Sequence, residues 1–137
     1  MVEKDYSGTP LWKKLGIKEG STVAFVKPPP AFDETVGPLP PDVAVKRQAR
    51  GPLDVIVLFS TRAGDLRNRF RKLKGALDPA GGLWVGYPKK SSSIPTDLTF
   101  ELTQEIGLDE GLVDNKSCAI DDDWSGVRFV YRLKDRP

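Results

Sequence analysis

The sequence predicts an α/β protein: a reduced doubly wound, mostly parallel sheet of about six strands, with helices on both faces and an antiparallel last strand. Three observations carry that expectation. DVIVLFS (Asp54 to Ser60) and LWVGYP (Leu83 to Pro88) are near-continuous apolar runs, the mark of strands covered on both sides. Between them, TRAGDLRNRFRKLKGAL sets Leu66, Phe70, Leu73 and Leu77 at helical spacing, the buried stripe of an amphipathic helix. Near the C-terminus Val127, Phe129, Tyr131 and Leu133 alternate with Arg128 and Arg132, as in an antiparallel strand with one poorly covered face.

The remaining elements follow in chain order. SGTPLWKKLG reads as a short helix capped by Thr9, with Pro10 in its first turn and Gly16 at its end. Thr22 to Val26 is a first strand, stopped by Pro28, Pro29 and Pro30, which cannot donate to a ladder. Phe32 to Val36 allows one helical turn before the proline-dense GPLPPD, and Val43 to Arg47 is a weak strand candidate whose place in the sheet the pattern leaves open. About six residues then lead to DVIVLFS, where a helical parallel crossover needs about ten or more, so no helix fits. Beyond LWVGYP, Thr96 is placed to cap a helix reaching Ile106, with Leu98, Leu102 and Ile106 on one face. Leu112 to Ile120 and Val127 to Leu133 are the last two strands. Residues 1–137 read as one domain.

Composition limits the chemistry. The net charge is +2, from 21 basic and 19 acidic residues, a balance that argues against a dedicated nucleic-acid binder. No apolar run approaches the ~20 residues of a membrane span. MVEKDYSGTPLWKK lacks an apolar signal core, and the single Cys118 allows no intrachain disulfide; a cytoplasmic location is expected. Histidine is absent. That removes the usual proton shuttle near neutral pH and the commonest zinc ligand, leaving carboxylates, Lys and Tyr for any catalysis.

Two resemblances enter on particular residues. DVIVLFS, a helix, LDPAGGLWVGYP, a helix and a β-hairpin resemble the second half of a class I methyltransferase fold, and ALDPAGGLWV is similar to that family's L-x-P-G-G-x-L turn. More closely, YSGTPLWKKLGIKEG, PKK…PTDLT and GLVDNK…WSGVRFV resemble a family of small bacterial proteins of unknown function. The resemblance implies a truncated methyltransferase-like domain without the third strand of the usual fold, and it implies no activity. The chain departs from the methyltransferase pattern at the cofactor. Lys27, Pro28, Pro29 and Pro30 stand where an acidic residue and a Gly-x-Gly loop are expected, and Lys46 and Arg47 lie where a carboxylate would meet the ribose. Proline offers neither close backbone approach nor an N–H donor, so S-adenosylmethionine (AdoMet) is not expected to bind in the customary way, and no cofactor is expected.

Ligands of open α/β sheets bind outside the carboxyl ends of the parallel strands. Here that rim carries Lys27, Ser60, Thr61, Lys89, Lys90, Ser91 and Trp124. Lys89 and Lys90 with the SSS run and the following helix start offer an anion site, set against a plain solvated loop. Asp121, Asp122 and Asp123 match no calcium-loop spacing and read as a turn, so no metal is expected. Trp124 either caps the core or offers a contact surface. Arg62, Arg67, Arg69, Arg71, Lys72 and Lys74 make one helix basic, as a solvated face or a nucleic-acid contact. Cys118 reads as packing. The reading that follows is a non-catalytic binding or regulatory module whose partner is another protein, with nucleic acid and membrane disfavoured. The alternative is a small-molecule transferase or anion-binding enzyme using Tyr87, Lys89 and Asp97.

Overall fold

The computed structural model describes residues 9–136. Its elements are α1 (Leu11–Lys14), β1 (Thr22–Val26), α2 (Phe32–Val36), β2 (Ala44–Lys46), β3 (Leu53–Phe59), α3 (Ala63–Lys74), β4 (Leu77–Pro88), α4 (Phe100–Asp109), β5 (Leu112–Ala119) and β6 (Trp124–Tyr131), then a 3₁₀ turn at Leu133–Asp135. They form one mixed sheet in the order β2-β1-β3-β4-β6-β5. β1 to β4 pair in parallel, and β6 lies antiparallel between β4 and β5. This is the expected α/β architecture, and residues 44–46 do join the sheet.

Two apolar layers bury the sheet. On one face Ile56, Leu58, Leu83, Val85, Val127 and Phe129 meet Leu66, Phe70 and Leu73 of α3 and Ile106 of α4. On the other, Val23, Val55, Val57, Phe59, Trp84 and Trp124 meet Leu11 and Leu15 from the α1 side and Phe32 and Val36 of α2. Trp84 also donates its Nε1–H to the Leu15 carbonyl at 2.9 Å, satisfying a buried polar group as it packs.

The short β2→β3 connection is possible because β2 is short. Lys46 is level with Ala24 of β1, and Val55 of β3 is level with Val23. β3 starts two residues earlier, at Leu53, so residues 47–52 descend about three residues while crossing two strand spacings, roughly 10 Å in each direction. Ala49 in this loop packs on the core where another fold would lay a helix.

Several boundaries differ from the sequence expectation. Pro10, rather than Thr9, stands at the start of α1, and its carbonyl receives the Lys13 and Lys14 amides without a side-chain cap. Leu77 is not helical: it opens β4 opposite Leu53, and β4 runs through DPAGG with an irregularity before Gly82 meets Val55. Gly81 is required by close approach, since a Cβ there would lie 2.6 Å from the Asp54 carbonyl, whereas at Gly82 a Cβ would meet only the Arg128 guanidinium, which can swing aside. α4 starts later than expected, with Thr99 Oγ1 accepting from the Leu102 amide at 3.1 Å. Its buried face is Thr103, Ile106 and Gly107, while Leu98 is buried ahead of the helix. β6 begins at Trp124 rather than Val127, and Leu133 leaves the strand to be 79% exposed.

Candidate functional site

From β1 the chain runs to β2 on one side and then crosses back to β3 on the other, so the switch point lies between the carboxyl ends of β1 and β3. That is where open α/β sheets take ligands. Aromatic rings line this position. Phe32 of α2 stands edge-on to Phe25 and to Phe59, with centroids 5.0 Å away in both pairs. Phe59 in turn meets Trp124 at 5.2 Å. Phe32 is only 3% exposed. The loop that brings it there holds Lys27 and Ala31 at φ 58° and 65°, left-handed values that non-glycine residues adopt at a cost of about 1–3 kcal/mol.

The structure divides the expected rim residues. Ser60 is buried, and its Oγ accepts from the Arg62 amide and donates to the Arg62 carbonyl. The Thr61 carbonyl receives the Thr96 hydroxyl at 2.7 Å and the Asp97 amide at 3.3 Å. Asp97 Oδ1 accepts from the Ala63 amide at 2.8 Å, satisfying the start of α3 where Arg62 supplies no cap. These residues stitch α3 to the loop before α4. Asp97 therefore has a structural partner, and it does not line the groove containing Tyr87 and Lys89. The Trp124 ring lies against Phe59 in the core, so this rim candidate offers little contact surface.

Tyr87, Lys89 and Lys90 do come together, in an open groove of about 640 Å³ whose wall includes Ile94, Phe100 and Glu101. Ser92, not Ser91, lines it. The Lys89 amide donates to the Asp123 carbonyl at 2.8 Å, which ties the groove to the β5–β6 turn. Burial pushes the Tyr87 hydroxyl above its ordinary value; a hydrogen bond with Ser125 opposes this and Glu101 adds to it. The group is thus an O–H at neutral pH. Glu101 gives the groove mixed charge, which bears against the anion-site reading of the two lysines and favours the solvated loop weighed beside it.

Lys27 faces a different place, a cleft it shares with Arg47, Arg69 and Lys72. Sequence reading missed that grouping, because its members come from three elements. The basic helix is mostly paired. Arg67 reaches Asp109 at 3.0 Å and Glu105 at 3.5 Å, Arg71 reaches Glu110 at 3.1 Å, and Arg69 reaches Asp65 at 3.0 Å. Lys74 donates to the Glu110 carbonyl. Asp121 Oδ1 accepts from the Asp123 and Trp124 amides, as expected for a turn. Among the described residues no three His, Cys, Asp or Glu side chains are grouped to hold a metal, and no helix is long and apolar enough to cross a membrane. Burial raises the Cys118 thiol above its ordinary value, with Lys14 opposing.

Neither a family model nor a curated protein matches the sequence. Solved structures match its shape. A SAM-dependent methyltransferase from Aquifex aeolicus superposes with a TM-score of 0.58 at 15% identity, over 85% of each chain. The Methanococcus jannaschii fibrillarin pre-rRNA processing protein gives 0.60 at 12% identity, over 91% of this chain and 70% of its own. The fold is methyltransferase-like. A ribosomal protein L11 methylase from Lactobacillus delbrueckii subsp. bulgaricus gives 0.58 at 12% identity, over 88% of this chain and 74% of its own. At these identities the likeness concerns the fold alone. Within this methyltransferase-like sheet, the crevice between β1 and β3 is lined by the Phe25, Phe32 and Phe59 rings.

Proposed function

We propose that this chain is a methyltransferase-fold binding module that does not take AdoMet in the customary way and that engages a protein partner through the groove over α4. We group it with the small bacterial proteins that its YSGTPL, PTDLT and WSG motifs resemble. One observation carries the reading: the Phe32 ring, wedged between Phe25 and Phe59 at the switch point. Pro28, Pro29 and Pro30 bring no amide hydrogens to the neighbouring loop. A cofactor there would have to displace a buried aromatic side chain and find donors elsewhere.

The transferase alternative is less well supported, because its three polar groups are not assembled. Tyr87 interacts with Ser125 and lies in the groove, while Asp97 is held by the Ala63 amide. Nucleic-acid association through α3 is disfavoured by the carboxylates of α4 that face its arginines. The groove suits a peptide or protein surface better than a small polar substrate. It is open, its charges are mixed, and Phe100 at its edge is 37% exposed.

The test is partner recovery with Lys89→Ala and Lys90→Ala, singly and together, with unfolding followed in parallel. Recovery of a defined protein partner should fall while the unfolding midpoint holds. Unchanged recovery by the double variant would rule out the groove as the interface.

A further inference from the structure

The cleft beside Lys27 exists because the β2→β3 connection carries no helix. It lies between α3 and the β1–β2 side of the sheet and has a volume of about 360 Å³, close to the lower bound of about 300 Å³ for small-molecule sites. Val26, Ala49 and Leu73 form an apolar floor, and Lys27, Arg47, Arg69 and Lys72 line the rest with the Phe25 segment of β1. No acidic side chain lines it. Arg69 is held by Asp65 from the side. Among the described residues Lys27, Arg47 and Lys72 make no ion pair or side-chain hydrogen bond. With Arg69 matched by Asp65, Lys27, Arg47 and Lys72 are a local excess of three cations in a chain of net charge +2, beside a helix whose Arg67 and Arg71 are matched by carboxylates. Arg47 and Lys27 sit just beyond the carboxyl ends of β2 and β1, the edge of such sheets that receives ligands. Lys27 also keeps a left-handed backbone that glycine would adopt without strain.

We propose that this cleft binds a small organic phosphate, of the nucleoside polyphosphate class. The charged phosphates meet Lys27, Arg47 and Lys72 with Arg69 beside them, and the base or another flat apolar body lies on the Val26, Ala49 and Leu73 floor. Phosphate on several cations gains from charge-assisted hydrogen bonds, and the apolar floor distinguishes an organic phosphate from a bare anion. This site is separate from the groove over α4 and does not depend on the protein partner proposed for it.

The experiment is calorimetric titration of the full chain with ATP, inorganic pyrophosphate, adenosine and a single-stranded oligonucleotide, at low and moderate salt. ATP should bind saturably, pyrophosphate more weakly and adenosine not at all. Arg47→Ala and Lys72→Ala should each weaken ATP about tenfold, the size of one charge-assisted contact, with the unfolding midpoint unchanged. Lys27→Gly should weaken ATP to a similar degree while raising the midpoint by a few degrees, about what relief of the left-handed strain provides. Affinity and stability moving in opposite directions cannot come from a damaged fold. The proposal fails if ATP shows no saturable binding at about 1 mM, or if Arg47→Ala leaves it unchanged. It fails equally if pyrophosphate binds as tightly as ATP, or if the oligonucleotide alone binds.

Discussion

Replacing Phe32 with alanine removes the ring wedged between Phe25 and Phe59, and the expected cost can be worked from its surroundings. At 3% exposure the side chain is almost wholly withdrawn from water, worth about 1.5–3 kcal/mol in transfer. The two edge-to-face pairs at 5.0 Å add about 0.5–1.5 kcal/mol each. The sum, about 2.5–6 kcal/mol, brackets the general cost of Phe→Ala in a core, about 3–5 kcal/mol. It is a large share of the ~5–15 kcal/mol that holds a domain folded. Urea denaturation should show a much lower midpoint with an unchanged slope. Phe32→Leu keeps most of the volume and should lose only about 1–2 kcal/mol. A loss below about 1 kcal/mol for the alanine variant would mean that the ring moves aside at little cost. The crevice would then be open to ligands, and the reasoning behind the binding-module reading would fail.

Other expectations follow from single contacts. Thr103 is buried with no partner for its hydroxyl, so Thr103→Val should leave stability unchanged or raise it by up to about 1 kcal/mol in denaturant titration. Gly107 faces Phe129, whose Cε1 would lie 2.1 Å from an added Cβ; Gly107→Ala should destabilise by about 1–3 kcal/mol or more, measured the same way. Asp97→Ala should cost about 0.5–2 kcal/mol by exposing the α3 start, and Asp97→Asn much less, since an amide oxygen can still accept from Ala63. Burial raises the Tyr87 hydroxyl above its ordinary value near 10. Its contribution to stability is therefore complete below about pH 10 and lost as pH rises through the folded-state value. Tyr87→Phe should reduce the alkaline fall in unfolding midpoint; an identical fall in both proteins would count against that cause.

The parts of the fold that could be read from sequence are those where one physical signal dominates. Val55 to Phe59 are apolar because both faces of β3 are covered, and Leu66, Phe70 and Leu73 repeat at helical spacing because α3 buries one stripe. Where two signals compete, the reading slipped. Asp78-Pro79 and Gly81-Gly82 have the chemistry of a turn, yet they continue β4 alongside β3, where the Asp54 carbonyl comes too close to Gly81 for a larger side chain. Thr96 has the chemistry of a cap, but its hydroxyl goes to the Thr61 carbonyl, and Thr99 caps α4 instead. Trp124 follows three aspartates, so its place in a strand was hidden by its neighbours. For the site, individual rim residues were visible but their grouping was not. Lys27 and Lys89 share a rim by topology and line different cavities, and Arg47, Arg69 and Lys72 join Lys27 only when the helix-free crossover draws three elements together.

The central claim, that the crevice between β1 and β3 is closed to AdoMet, is tested most directly by backbone amide NMR spectra recorded while AdoMet is titrated into the protein. The account predicts that the amides of Lys27, Ala31 and Phe32 stay in place at millimolar ligand. Saturable shifts at those three amides would contradict it.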